Sequence, residues 1–94
     1  DQLQADDTIN DDYRIEFMRQ HVEQMQLAIN DGVELIGYCP WAAIDVVSTH
    51  QGYAKRYGFI YVNRGEQDLK DLRRIKKRSF DWYQRLIVSN GRQR

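Results

Sequence analysis

The chain has 94 residues, carries 14 basic and 14 acidic side chains for a formal net charge of zero, and contains one cysteine. That length allows at most one small domain of modest intrinsic stability, because short chains bury a smaller share of their surface. The balanced charge gives no global field for nucleic acid or an anionic membrane, and Cys39 alone excludes an intrachain disulfide framework or a cysteine-based zinc site.

The opening stretch, Asp1-Gln2-Leu3-Gln4-Ala5-Asp6-Asp7, is polar and irregular, and its start without Met reads as a loop from a longer chain. From Asn10 or Asp11, either of which can cap a helix, Tyr13, Phe17, Met18, Val22, Met25 and Ile29 recur mostly at spacings of three and four. This predicts an amphipathic helix over about 11–30, stopped by Asn30-Asp31-Gly32. Val33 to Cys39 is short, apolar and directly behind the helix, as expected of a buried strand in an α/β unit, and Pro40 ends it.

A loop or short helical piece over Trp41 to Ser48 follows. Tyr57 to Val62 has the β-branched and aromatic content of a second strand, with Asn63-Arg64-Gly65 as its turn. Lys77 to Ser89 reads as a helix with Phe80, Tyr83, Leu86 and Ile87 as its apolar stripe, closed by Asn90-Gly91. The basic run Lys70 to Arg78 is expected to be a solvated face, and the aromatics that follow it pack rather than bind nucleic acid. The apolar runs are too short for a membrane span and no signal peptide is evident, so no membrane contact and a cytoplasmic location are expected.

In α/β proteins function gathers beyond the C-terminal ends of the strands, which here means the loop between the two strands. Ser48, Lys55 and Tyr57 on that loop supply a hydroxyl, a cation and a phenol, donors that can share the oxygens of a phosphate dianion; as isolated residues they read more readily as ordinary surface side chains. Trp41, at the end of the first strand, offers an indole that either stacks on a sugar ring or is a buried packing residue. His50 and His21 read as solvent-exposed. Glycosidic chemistry needs two facing carboxyl groups, and neither Glu34, at the wrong end of the strand, nor Asp45, better suited to anchoring the loop by hydrogen bonds, fits that task. No metal site and no cofactor are expected. One strand and its helices cannot complete the parallel sheet such units require, so the remainder has to come from elsewhere.

Taken together, Asn10-Asp11-Asp12-Tyr13-Arg14-Ile15, Asp31-Gly32-Val33, Gly37-Tyr38-Cys39-Pro40-Trp41, Lys55-Arg56-Tyr57-Gly58-Phe59-Ile60-Tyr61-Val62 and Lys77-Arg78-Ser79-Phe80-Asp81-Trp82-Tyr83 resemble, in register, the end of family 1 glycoside hydrolases. The resemblance implies an α/β fold forming the C-terminal portion of a (β/α)8 TIM barrel: the seventh helix, the eighth strand at Val33 to Cys39, an active-site loop with a short strand, and the eighth helix. Residues 1–94 would then be the C-terminal piece of a single barrel domain.

Members of that family acting on unphosphorylated sugars usually carry Glu, within Phe-Glu-Trp, where Ser48 stands, and Phe where Tyr57 stands. The resemblance to the 6-phospho-β-glucosidase branch assigns Ser48, Lys55 and Tyr57 to a sugar 6-phosphate and Trp41 to the sugar. Galacto-specific relatives tend to have Trp in place of Thr49, so 6-phospho-β-glucosides are favoured over 6-phospho-β-galactosides. The implied ligand is a phosphorylated disaccharide or an aryl β-glucoside 6-phosphate, and the implied reaction is retaining hydrolysis by a Glu-Asn-Gly nucleophile and an Asn-Glu-Pro acid/base. Neither motif occurs in residues 1–94, so the chain alone is expected to be inactive and, with strand edges uncovered, to self-associate. The competing expectation is a free-standing binding or assembly module.

Overall fold

The computed structural model describes all 94 residues. In chain order they form α1 (Asp12–Asn30), β1 (Ile60–Val62), β2 (Arg74–Lys76) and α2 (Arg78–Val88). The molecule is thin for its length: its radius of gyration is 15.2 Å, whereas a compact domain of this size approaches about 13 Å. Only 15 of the 94 residues are buried.

α1 contains neither Gly nor Pro and ends where Gly32 takes φ +98°, with the Val33 N–H donating to the Ala28 carbonyl. The predicted stop is therefore used. Its start differs in detail. Asn10 Oδ1 accepts the Asp12 N–H at 3.1 Å, whereas the Asp11 carboxylate turns to the other helix and accepts the Ser79 N–H at 2.9 Å and the Ser79 hydroxyl at 2.5 Å. Asp11 thus caps α2, an end whose own N-cap residue, Lys77, makes no side-chain cap.

Ser79, Trp82 and Leu86 form the buried face of α2, packed on Ile15 and Met18 of α1 and on Phe59. Of the expected stripe, Leu86 is buried and Phe80 and Tyr83 pack half-buried against this core, Tyr83 stacked on Phe59 at 4.9 Å, whereas Ile87 is exposed and falls outside it. The Asp11–Ser79 bonds orient the first turn of α2, and residues one helical turn apart from Ser79 then follow it inward.

The eighth-strand assignment of Val33 to Cys39 needs correction within this chain, because these residues form no strand. A strand exists only with a hydrogen-bonded neighbour, and a strand built for burial on both sides needs two; none is present beside 33–39, and Val33, Leu35 and Ile36 face solvent. The second predicted strand survives in shortened form as β1. It pairs antiparallel with β2, Tyr61 opposite Ile75. β2 falls inside the basic run and was unforeseen, since Arg74-Ile75-Lys76 lacks strand composition. Residues 57–60 instead lie along 42–45, through Ala42 N–H to Tyr57 O, Phe59 N–H to Ala42 O, Ile60 N–H to Ala43 O and Asp45 N–H to Ile60 O, at 2.9–3.1 Å. Gly58 permits this contact: a Cβ there would stand 2.3 Å from the backbone of Ile44 and Asp45. No helix is long and apolar enough to cross a membrane.

Candidate functional site

The loop that carries the predicted phosphate residues is built around a tight turn. Ser48 and Gly52 exchange backbone hydrogen bonds at 2.9 and 3.1 Å, and the Ser48 hydroxyl oxygen accepts the N–H groups of His50 and Gln51 at 3.3 and 3.1 Å. Tyr57 returns to the turn, its hydroxyl 3.4 Å from Ser48 Oγ. Ser48 Oγ thus accepts from two backbone N–H groups and, at longer range, from the Tyr57 hydroxyl, and its own hydrogen stays available. The long Tyr57 contact competes weakly with any better acceptor. Two hydroxyl donors thus sit side by side, Ser48 buried and Tyr57 half-buried.

Lys55 is exposed two residues before Tyr57, and Trp41 is 74% exposed in this chain. Lys55, Tyr57 and Trp41 line one open cleft of about 740 Å³, together with Tyr38, Phe59 and residues of α1. The cleft is mainly apolar, with few polar groups converging on it, as in sites for sugars and small organic ligands. Ser48 does not line the cleft; it is reached through Tyr57. His50 is exposed and contributes a backbone N–H to the turn, while His21 is exposed at the cleft edge against Phe17.

Beneath the cleft lies a buried charge network that sequence reasoning did not anticipate. Lys77 is fully buried and its ammonium meets Asp45 Oδ1 at 2.6 Å and the Asp1 carboxylate. Asp45 also accepts Arg56 at 3.1 Å and the N–H groups of Gly58 and Val62 at 3.0 and 3.4 Å. It is the loop anchor expected of it. Arg56 further donates to the carbonyls of Val62 and Arg64 at 2.7 and 2.9 Å and lies over the Tyr61 ring. Arg14 ties Asp1 and Asp11 to the Arg56 carbonyl.

Burial pulls the Lys77 ammonium down to about 8, with Arg14 repulsion adding to the fall and the Asp45 hydrogen bond and charge opposing it. Lys77 also corrects the expectation that the basic run is wholly solvated. A charge run carries no local sign of which member will be buried; the acidic partners that decide it lie 32 and 76 positions away. The carboxylates beside the cleft, Asp1 and Asp45, are thus engaged by cations, and Glu34 is exposed. No group of three or more His, Cys, Asp or Glu side chains is arranged to hold a metal ion.

The chain has relatives among known proteins. Residues 1–92 match Glycosyl hydrolase family 1. The chain belongs to that family. It is 57% identical over 86 residues to aryl-phospho-beta-D-glucosidase BglC of Bacillus subtilis (strain 168), covering 92% of this chain and 18% of that protein. It is 49% identical over 92 residues to the phospho-cellobiase of Klebsiella oxytoca, covering 97% and 20%. The fold superposes on the family 1 b-glucosidase from Thermotoga maritima with a TM-score of 0.87 at 35% identity, covering 97% of this chain and 19% of that one. The chain therefore spans about a fifth of the length of its family 1 relatives, and its architecture is part of a TIM barrel.

Proposed function

We propose that these residues form the C-terminal portion of a retaining 6-phospho-β-glucosidase, in which α1 is the seventh barrel helix, 33–39 the eighth strand and α2 the eighth helix. The substrate is a phosphorylated disaccharide or an aryl β-glucoside 6-phosphate, hydrolysed in the cytoplasm. Ser48, Lys55 and Tyr57 hold the 6-phosphate and Trp41 stacks on the sugar. The observation that carries this reading is the Tyr57 hydroxyl, 3.4 Å from Ser48 Oγ, on a residue that lines one cleft with the exposed Lys55 and Trp41. A phosphate dianion suits that set: Lys55 supplies a charge-assisted bond and the two hydroxyls supply neutral donors.

Retaining hydrolysis needs two carboxyl groups about 5–5.5 Å apart across the scissile bond. Asp45 and Asp1 are tied to Lys77, so they do not supply that pair, and the relatives' shared identity with phospho-glucosidases supports its location elsewhere in the barrel. This segment then fixes the phosphate and thereby positions the anomeric carbon. By itself it hydrolyses nothing.

The test is kinetic, on the full-length enzyme carrying this segment. Lys55→Ala raises KM for 4-nitrophenyl β-glucoside 6-phosphate by about 100-fold, the value of one strong charge-assisted contact, and leaves weak turnover of the unphosphorylated glucoside untouched. Equal losses on both substrates overturn the phosphate assignment. Faster turnover of the galactoside 6-phosphate than of the glucoside moves the specificity to 6-phospho-β-galactosides. A native product of only this length, inactive on all of them, leaves the binding-module reading.

A further inference from the structure

The phosphate turn is held from outside by a carboxylate to which the proposed function gives no role. Glu66, on the connection between β1 and β2, is exposed, yet its two oxygens are both engaged: Oε1 accepts the Ala54 N–H at 2.6 Å and Oε2 accepts the Tyr53 N–H at 3.1 Å. These are the two residues immediately before Lys55. Successive backbone N–H groups that converge on one anion form a nest, and a carboxylate accepting two of them makes strong, charge-assisted bonds.

Two neighbours keep Glu66 in place. Gly52 takes φ +73°, and a Cβ on it would come within 2.2 Å of Glu66 Oε2, so only glycine leaves space for the carboxylate over the turn. Arg64 lies 3.6 Å over the Tyr53 ring and donates to the Glu66 carbonyl at 3.2 Å, bracing the far side of the same contact. The 48–57 turn is therefore fixed at Ser48 by its own hydrogen bonds and, just before Lys55, by Glu66.

We propose that Glu66 is a positioning residue for substrate phosphate: it fixes the backbone at Tyr53 and Ala54 and so directs Lys55 toward the cleft. This rests on the phosphate assignment above. An exposed lysine on an unfixed turn would sample many rotamers, and each bound phosphate would have to order both side chain and backbone. With the turn fixed beforehand, that ordering cost falls on folding rather than on binding. The effect of losing Glu66 therefore appears in KM for the phosphorylated substrate.

The experiment uses the full-length enzyme with 4-nitrophenyl β-glucoside 6-phosphate. Glu66→Ala raises KM about tenfold, the effect of losing one to two such bonds, with a smaller change in kcat, and Glu66→Gln, which keeps one acceptor oxygen, gives a smaller rise. Gly52→Ala, which displaces the carboxylate without removing it, gives the same KM signature. The double variant Lys55→Ala/Glu66→Ala is no worse than Lys55→Ala alone, because the latch acts through Lys55. A Glu66→Ala enzyme with wild-type KM, or effects of the two substitutions that simply add, overturns the latch while leaving the phosphate site standing. A Lys55→Ala enzyme with wild-type KM removes the phosphate site itself, a separately readable result.

Discussion

Two sides of this molecule are built on opposite principles. On the side formed by residues 1–14, 42–62 and the start of α2, almost every polar group is matched: Asp1, Asp11, Asp45, Arg14, Arg56 and Lys77 are buried or nearly so, and each is hydrogen-bonded to charge or backbone. On the other side, Leu27, Ile29, Val33, Leu35, Ile36, Ile87 and Val88 stand exposed around the unpaired 33–39 segment. The first side is complete within the chain. The second is apolar surface on a scale that marks a contact yet to be made. The loop carrying Ser48, Lys55 and Tyr57 hangs from the complete side, so its turn keeps its shape even where the 33–39 segment before it has no partner.

The largest test of this contrast is at the matched side. Asp11→Ala takes one of two carboxylates from Arg14, which keeps Asp1, and leaves both Ser79 donors without an acceptor in a buried site, destabilising the protein by about 3 kcal/mol, read as a lower urea midpoint. An effect below 1 kcal/mol would mean that water replaces the carboxylate. Lys77 makes the next prediction. Its folded-state value of about 8 lies below the 10.5 of an exposed lysine. The unfolded chain therefore binds more protons between those values, and this contribution to stability grows as pH rises from 8 to 10.5 and is lost as pH falls back through 8. Comparison of unfolding midpoints at pH 7.5 and 9.5 shows that rise in the wild type and a flatter profile in Lys77→Met.

Gly58→Ala is smaller still, about 1–3 kcal/mol, because the added methyl must push 57–60 away from 42–45. Loss of the Ala42–Tyr57 hydrogen bond, seen as faster amide exchange, accompanies it. The smallest effect on the chain itself belongs to the bare side. We expect the isolated chain to self-associate through this surface in sedimentation, and Ile36→Ser to reduce that association with its secondary structure unchanged, since Ile36 contacts solvent alone here. The same substitution in the full-length enzyme lowers the thermal midpoint if 33–39 is a buried barrel strand.

Much of this was legible beforehand. The two helices follow from residues three and four apart and from stops at Gly32 and at Asn90-Gly91, all local signals that the chain carries wherever it folds. The spacing of Ser48, Lys55 and Tyr57, read through the family resemblance, named the residues that the turn brings together or sets along one cleft. Tertiary structure decided the rest, and the reason is range. Whether 33–39 becomes a strand depends on neighbours outside these residues, and whether Arg74-Ile75-Lys76 does depends on β1, 12 or more positions back. Lys77 is buried because Asp45 and Asp1 reach it, Asp11 caps a helix 68 residues away from it, and Glu66 grips a turn 12 to 13 residues earlier. Helix signals repeat within one turn of chain; ion pairs and strand partners are set by which distant segments the fold brings into contact, and no local pattern encodes that choice.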